Sequence, residues 1–281
     1  MCVFWYYYLG DDIMSNNNYF LDDYYKNPHN KTVRKANALI QKNRFDLSLQ
    51  QQKIILFLIS QISPFDEDLK LYEFNINDFC KVCGIDNTNG QNYKDLKRQI
   101  KEIADKSMWI KKADDEKAET LVRWIEKPTI KEKSGIIQIK LDEDLKPYLI
   151  QLRENFTQYD IIYTLCFKSK YSIRLYELIK SIHYQELYEY SKDFTLDEIK
   201  TLLGAENYKT YQHFKDRVLI PSINEINNTS DKYISYTPIK KGKAVIGITL
   251  EIKTKDIIER NQARLLAEKK LDNQLSFFDE V

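Results

Sequence analysis

An internal repeat is the feature that most constrains the fold of this chain. The segment Phe74–Gly84 matches the segment Phe194–Gly204 position for position, at a constant separation of 120 residues. Each segment has the pattern of a short capped helix: polar residues at its start, apolar residues at helical spacing and a glycine at its end. In the first copy Asn77 is the predicted N-cap and Gly84 the predicted end. The repeat predicts two tandem copies of one structural module.

The helices on either side of the repeat are duplicated as well. One amphipathic pattern precedes each copy and another follows it, so that each module contains three helices. The first helix of the first copy opens with a capping box, because Ser48 is followed three residues later by Gln51. The flanking helices are predicted at Gln52–Leu58 and Ile173–Ile179, and at Tyr93–Lys106 and Tyr211–Asn227.

Strand-like runs follow the third helix of each copy. In the first copy they are Trp109–Lys112, Leu121–Glu126 and Ile136–Leu141, and in the second Tyr233–Thr237 and Ala244–Lys253. Three helices followed by a β-ribbon is the order of a winged helix, which is a variant of the helix-turn-helix. We therefore predict an α+β chain with two tandem winged-helix domains.

The chain divides into four parts on this interpretation. They are a loosely ordered leader (residues 1–30), a first winged-helix domain (31–152), a second (153–255) and a helical tail (256–281). The 7 glycines and 6 prolines are few for 281 residues, which argues against a long flexible linker between the domains. The sequence leaves open whether translation starts at Met1 or Met14.

The charge balance and the cysteine content exclude several classes of protein. Lysine and arginine total 43 against 42 acidic residues, so any nucleic-acid surface must be a local patch. Four cysteines in a chain of this length do not form a disulfide framework. The apolar opening Met1–Leu9 lacks a basic start and is too short to span a bilayer. We expect a soluble, cytoplasmic protein without a membrane partner.

No pattern in the sequence indicates catalysis, a cofactor or a metal. Cys80 and Cys83 form a C-x-x-C pair, but no second pair lies at ligand spacing. In the repeat, Cys80 aligns with Lys200, expected to be solvated, and Cys83 with Leu203, expected in the core, so we interpret both cysteines as structural. The three histidines form no His-x-His pair, and the phosphate-binding loop of NTPases is absent. We therefore expect a binding protein and not an enzyme.

The third helix of the second module is the candidate recognition helix. Tyr211, Phe214 and Val218 share one face at helical spacing and would seat the helix on the core. A mixture of bases, amide, imidazole and carboxylate on the other faces suits contact with both phosphates and base edges. The candidate DNA-binding residues there are Lys209, Gln212, His213, Lys215, Asp216 and Arg217.

Two further cationic groups are candidates for contact with the DNA backbone. The third helix of the first module exposes basic residues among interleaved acids, and the turn of the second wing is a compact basic cluster. An ordinary solvated helix face remains the alternative for the first group and also for the candidate recognition helix. The residues concerned are Lys94, Arg98 and Lys101 on the helix, and Lys240, Lys241 and Lys243 at the wing tip.

Three segments within residues 33–253 carry a resemblance to a known family. They are Asn37–Ile40 with Leu47–Leu49 and Lys53, Phe156–Thr157 with Lys170–Leu178, and Phe214–Asn227. In these segments the chain resembles the plasmid replication initiators, which bind iterons, the short repeats of an origin, through tandem winged helices. The family often has a second basic residue where this chain has Asp216.

The resemblance implies a function and a set of partners. It implies sequence-specific binding of double-stranded DNA at origin repeats to initiate plasmid replication, with autoregulation of the protein's own gene. It also implies monomers on origin repeats, homodimers on the operator through the first module, and contacts with host replication proteins. A winged-helix repressor without an origin role is one alternative, and an enzyme that nicks DNA through a tyrosine is another.

The tail carries a candidate docking peptide beyond the resemblance. Residues Asp256–Gln274 have the pattern of a charged helix, and Gln274, Leu275, Phe277 and Phe278 follow at its end. This ending resembles the short peptide with which bacterial replication proteins dock on the sliding clamp, with Phe277 in place of the usual leucine. The alternative is that the two phenylalanines pack back on a domain.

Overall fold

The computed structural model describes residues 31–42, 46–63, 65–83, 92–111, 118–182 and 188–276. The leader, Met14 and Gly84 lie outside these ranges. The first module begins with strand β1 (Thr32–Ala36) and helices α1 (Asn37–Gln41), α2 (Leu49–Ile59), α3 (Ile76–Cys83) and α4 (Asn92–Asp105). Its strands are β2 (Leu71–Asn75), β3 (Ser107–Lys111), β4 (Glu119–Arg123), β5 (Ile125–Lys131) and β6 (Ile136–Leu141), followed by a short helix α5 (Lys146–Leu149).

The second module repeats this order. It contains β7 (Phe156–Asp160), α6 (Ile161–Cys166), α7 (Lys170–Ile182), β8 (Glu189–Thr195), α8 (Leu196–Leu203), α9 (Tyr211–Phe214), α10 (Ile220–Thr229), β9 (Lys232–Lys241) and β10 (Ala244–Thr254). A last helix, α11 (Ile257–Ser276), follows. The sheets are equivalent, because β2-β6-β5 in the first module corresponds to β8-β10-β9 in the second. The predicted α+β architecture of two winged helices is confirmed.

The helix starts follow the local signals, with one correction. The capping box predicted at Ser48 and Gln51 is present at the start of α2. The predicted N-cap Asn77 is wrong, since the Asn75 side chain accepts hydrogen bonds from the backbone N–H groups of Asn77, at 2.8 Å, and of Asp78. Thr195, which is 120 residues further on, caps α8 in the same way. The cap lies two residues earlier because each strand runs directly into its helix.

The ribbon of the first module differs from the prediction. The run Leu121–Glu126, expected as one strand, is divided at the buried Trp124 into the end of β4 and the start of β5. Strands β3 and β4 form a separate two-stranded sheet, and β5 and β6 form the wing. The extra hairpin is an insertion that the second module lacks within the part of the chain that the structure describes.

The two modules are joined by a sheet that the sequence did not indicate. Strand β1 of the first module pairs antiparallel with β7, and the register is centred on Arg34 opposite Gln158. Lys35 from β1 is almost entirely buried and forms an ion pair of 2.5 Å with Glu177 of α7, which also accepts a hydrogen bond from the Tyr159 hydroxyl. The joint therefore contains a buried charge network as well as backbone hydrogen bonds.

Helix α11 packs against both modules. It contacts α6 and α10 of the second module and α3 of the first. Ala263, Ala267 and Leu271 are its buried residues, and Arg264 forms an ion pair of 2.8 Å with Asp160 at the end of β7. The tail is helical over Ile257–Ser276, and its first four turns belong to the folded core.

The two cysteines of the C-x-x-C pair are core residues, but the expectation for the matching lysine was wrong. Cys80 is 1% exposed and Cys83 is fully buried, and burial raises the pKa of the Cys80 thiol to about 12. Lys200 was expected to be solvated, whereas it is only 8% exposed because its ammonium lies over the Phe214 ring. Among the described residues, no group of three potential ligands could hold a metal ion. No described helix is long and apolar enough to cross a bilayer.

Candidate nucleic-acid interface

The candidate recognition helix runs without a break from Tyr211 to Thr229, through a wider π-helical turn at Lys215–Leu219. The Thr210 hydroxyl caps its start by accepting from the His213 N–H group. Pro221 has no N–H group, and its ring would collide with the carbonyl one turn earlier in a regular helix. We infer that the π turn accommodates Pro221, and π turns of this kind occur frequently at functional sites.

The helix is anchored by the face that the sequence predicted. Phe214 and Val218 are fully buried, while Tyr211 is partly buried. Burial and a hydrogen bond with Tyr236 raise the pKa of Tyr211 to about 12. Because Tyr236 belongs to β9, this pair ties the first turn of the recognition helix to the wing, so that the two elements are held as one surface.

The polar face is organised around Asp216. Gln212, His213, Asp216 and Arg217 are exposed, and Lys215 is half-buried. Asp216 accepts a hydrogen bond of 2.6 Å from the Gln212 amide and lies 3.5 Å from the Lys215 ammonium. Asp216 thus fixes one amide and neutralises one base. Arg217 is then the exposed cation of this helix that has no carboxylate partner among the described residues, which suits it to an anionic or acceptor-rich ligand.

The buried Lys200 holds the loop that precedes the recognition helix. Its ammonium donates to the backbone carbonyl oxygen of Lys209 at 3.4 Å, which holds the loop before the helix. The Lys209 side chain is exposed beside the first turn. All six candidate residues of the recognition helix and of the loop before it therefore lie at or next to one helix face.

The wing beside this helix ends in a two-residue turn of Gly242 and Lys243. Gly242 has φ +62, a conformation that favours glycine and matches the twist of a tight hairpin. Lys240, Lys241 and Lys243 are all exposed there, and we call them the wing-tip lysines. A compact group of three cations on a rigid hairpin is suited to phosphates.

A β-bulge at Ile246 controls the direction of the wing. The register of β9 and β10 shifts between Val245 and Gly247, and Ile246 is left exposed. A Cβ atom at Gly247 would lie 2.5 Å from the Phe194 carbonyl oxygen, so only glycine permits this approach to β8. The bulge bends the hairpin relative to its sheet.

The corresponding helix of the first module presents a weaker charge. Lys94, Arg98 and Lys101 are exposed on α4, as predicted. The Arg98 guanidinium lies 3.0 Å from Asp95, and Lys101 pairs with Asp105. Intrahelical carboxylates therefore partly neutralise two of these three cations, whereas Arg217 in the second module has no such partner among the described residues.

The sequence reasoning missed the first module's own wing tip. Lys131 and Lys133 are exposed around the turn Glu132–Ser134 between β5 and β6. The position matches the wing-tip lysines of the second module. The repeat would have located these residues if β5 had been recognised, but Pro128 within the strand obscured it.

The candidate docking peptide is described only in part. The backbone of Gln274 and Leu275 lies in the last turn of α11. Their side chains, and Phe277 and Phe278 entirely, lie outside the described residues. The docking hypothesis stays a prediction.

Comparison with protein families shows to which family the chain belongs. Residues 32–180 match the family described as "Initiator Replication protein, WH1", and residues 195–252 match "Initiator Rep protein, WH2". The chain belongs to this initiator family. The first match extends beyond β7 into α7, in line with the pairing of β1 and β7 across the expected boundary at residue 152.

Two individual proteins resemble this chain. A "Replication initiation protein" of Escherichia coli is 27% identical over 205 aligned residues, and the match covers 71% of this chain and 63% of the relative. The chain therefore spans less than two thirds of that relative's length. The crystal structure of "Pi initiator protein in complex with iteron DNA" superposes with a TM-score of 0.63 at 18% identity, covering 80% of this chain and 98% of that one. At 18% identity, the similarity to the Pi initiator shows only that the two proteins share a fold.

Proposed function

We propose that this protein initiates plasmid replication by binding the repeated sites of an origin as double-stranded DNA. The observation that carries the proposal is the surface built by α9, the π turn and the second wing. An exposed amide, imidazole and guanidinium stand on a helix anchored by Phe214, beside the three wing-tip lysines. Family membership supports the same activity, as does the iteron DNA bound by the Pi initiator, which shares this fold.

In this proposal the two modules make different contacts with DNA. The second module enters a major groove with Gln212, His213 and Arg217, and its wing follows the backbone. The first module holds the adjoining groove mainly by phosphate contacts, with Lys94 and with Lys131 and Lys133 of its own wing, although Lys131 lies 3.9 Å from Glu73. Its paired cations Arg98 and Lys101 add less, because each must leave a carboxylate to bind a phosphate.

We propose that the β3–β4 hairpin forms the homodimer with which the protein represses its own gene. Trp109 and Leu121 are directly paired across the two strands, and they are 60% and 50% exposed. Met108, Ile110 and Val122 on the opposite face are buried. An exposed aromatic beside an exposed leucine is typical of an interaction surface. This surface belongs to the first module, whereas the recognition helix belongs to the second.

We also propose that the C-terminal peptide docks on the host's sliding clamp. A hydrogen-bonding Gln274 followed by Leu275, Phe277 and Phe278 fits a short peptide bound in an apolar pocket. A synthetic peptide covering residues 270–281 should bind the clamp in isothermal titration. Absence of binding at high micromolar concentration would leave packing of the phenylalanines on the protein as the explanation.

The central test is DNA binding by variants of the polar face. Arg217→Ala should weaken binding to the specific site by about 1–3 kcal/mol, roughly 5- to 150-fold in Kd, and relax the preference at one position. The matched control is Lys269→Ala, an exposed cation on α11. Unchanged affinities of Arg217→Ala and Lys215→Ala for specific and random DNA would refute the groove assignment.

Footprinting on the DNA flanking the gene separates the proposed role from the alternatives. Protection of several direct repeats, spaced by about two helical turns, would support origin binding. Protection of a single inverted repeat alone would favour a repressor. Relaxation of supercoiled plasmid in the presence of Mg²⁺ would instead favour a nicking enzyme.

A further inference from the structure

A cleft of about 660 Å³ lies between the two modules at their joint, and none of the described residues that line it belongs to the recognition helix. One wall is formed by the end of α1 and by the residues leading into β7. The other is formed by the end of α7 and the beginnings of β8 and β9. Its volume falls within the range of sites that hold small molecules and cofactors. The cleft is bounded by both modules, so a bound molecule would bridge them.

The lining of this cleft is basic. Lys42 comes from the first module, and Lys180, Lys192 and Lys232 come from the second. No carboxylate occurs among the described residues that line it. Lys180 is paired with Asp231, at 3.0 Å, so a carboxylate behind the wall offsets part of this charge. The cleft therefore has an excess of positive charge, which is suited to an anion.

One of these lysines is buried in the wall of the cleft. Lys232 is 6% exposed, and its ammonium donates to the Thr254 hydroxyl at 2.7 Å. Burial, with Lys180 and Arg260 nearby, lowers the pKa of Lys232 to about 8, although Asp231 opposes this shift. An anion in the cleft would stabilise the charged form of Lys232.

Amide side chains line the same space. Asn37 and Gln41 reach it from α1, and Gln158 from β7. The Gln41 amide donates to the Ser181 carbonyl oxygen at 3.0 Å, and Asn37 accepts from the Thr157 hydroxyl at 2.6 Å, so both side chains are held in place. The Gln41 amide nitrogen also donates to the Ser181 hydroxyl at 3.2 Å, so Gln41 offers its oxygen as an acceptor, while the amide nitrogens of Asn37 and Gln158 can donate. Donors and acceptors in one space are the combination that recognises the edge of a nucleobase.

The cleft is too distant from the wing tip to share its DNA phosphates. Lys232 begins β9 and Lys241 ends it, nine residues further along an extended strand. At about 3.3 Å per residue the two lysines are roughly 30 Å apart. A phosphate held by the wing tip cannot also occupy the cleft. The anion in the cleft is therefore a different group from the phosphates at the wing tip, and the volume of the cleft suits a small molecule.

We propose that the cleft between the modules binds a phosphate-bearing small molecule of mononucleotide size. The lysines hold the phosphate and the amides contact the base. Because the ligand touches α1 of the first module and β8 and β9 of the second, it stabilises their relative arrangement. Occupancy would thereby adjust how the two DNA-binding surfaces are presented together, independently of the contacts that they make with DNA.

The test uses the full chain and a panel of adenine and guanine mono-, di- and triphosphates, with inorganic phosphate as a separate probe. We expect at least one nucleotide to bind with a stoichiometry of one in isothermal titration and to raise Tm. Inorganic phosphate should bind at least tenfold more weakly. Lys42→Ala and Lys192→Ala, both at exposed positions, should each weaken nucleotide binding at least tenfold. Lys269→Ala is the matched control and should bind as the unaltered protein does.

Three results would overturn the proposal. One is the absence of binding by every nucleotide at millimolar concentration. Another is undiminished binding by the double variant Lys42→Ala/Lys192→Ala with an unchanged circular dichroism spectrum. The third is loss of nucleotide binding in Lys241→Ala together with competition by DNA, which would place the nucleotide on the DNA surface. Retention of specific DNA binding by Lys192→Ala in the absence of nucleotide keeps this test separate from that of the proposed function.

Discussion

The buried ion pair between the modules gives the sharpest prediction about stability. The side chains of Lys35 and Glu177 are 3% and 2% exposed, and they come from β1 and α7. Burial lowers the pKa of Lys35 below its ordinary value, while Glu177 opposes that shift. Removal of one member of such a pair leaves the other charge buried without its partner, which costs about 3–5 kcal/mol. That is a large part of the roughly 5–15 kcal/mol that separates most folded domains from their unfolded states.

The surrounding groups decide which single variant is worse. In Lys35→Met, Glu177 keeps the hydrogen bond from Tyr159 and the nearby charge of Arg174. Glu177→Gln instead leaves two buried cations, Lys35 and Arg174, without their carboxylate. We therefore expect Lys35→Met to lower the free energy of unfolding by about 3 kcal/mol and Glu177→Gln to lower it by about 5 kcal/mol. The double variant should cost clearly less than the sum of the two.

Urea unfolding of the full chain, followed by circular dichroism, measures these free energies in a double-mutant cycle. Lys101→Met is the control, because Lys101 and Asp105 form an exposed pair whose removal should leave the unfolding midpoint unchanged. A Lys35→Met cost below about 1 kcal/mol, or strict additivity in the cycle, would refute the view that this pair fastens the modules together.

Three other predictions concern separate parts of the molecule. Replacing the wing-tip lysines with alanine should weaken binding to specific and random DNA alike and reduce the salt slope by about 0.9 for each phosphate that is no longer bound, measured by fluorescence anisotropy. Trp109→Ser should shift the protein towards monomer in analytical ultracentrifugation, whereas an unchanged dimer would exclude the β3–β4 surface. Burial raises the pKa of Asp231, but Lys180, Lys232 and Tyr176 lower it, so that it lies below its ordinary value of 3.8. Its contribution to stability is present above pH 3.8 and is lost as the pH falls through the lower folded value. Asp231→Asn should therefore be less stable than the unaltered protein at neutral pH, with the difference diminishing in acid unfolding below pH 3.8.

The features predicted correctly are those with local signals. The capping box at Ser48 and the anchoring face of Phe214 and Val218 depend on residues within two turns of one another. The repeat then combined these local elements into modules without any knowledge of contacts. The wing-tip lysines were located because Gly242 marks a tight hairpin between two long strands.

The features that the sequence could not reveal depend on distant partners. Strands β1 and β7 have five residues each, and their pairing joins positions more than a hundred residues apart. Lys35 in the middle of β1 has the local pattern of a surface residue, because nothing near it in the sequence indicates that Glu177 will meet it. The same holds for Lys200, whose burial depends on the Phe214 ring. The rise in pKa of Tyr211 likewise depends on its hydrogen bond with Tyr236 as well as on burial, and that partner lies in another element.

The joint between the modules also bears on the symmetry of the DNA site. The first strand of each module leads directly into an equivalent helix, and these two strands pair antiparallel about Arg34 and Gln158, so they are related by a local two-fold axis. A homodimer with such an axis would present two identical surfaces and select a palindrome. Here the two third helices differ, since the cations of α4 lie among carboxylates while Arg217 has no such partner in the described part of the chain. If the proposed function holds, a single chain therefore reads an asymmetric site, which can be repeated in one direction along an origin, whereas an inverted repeat requires a second copy.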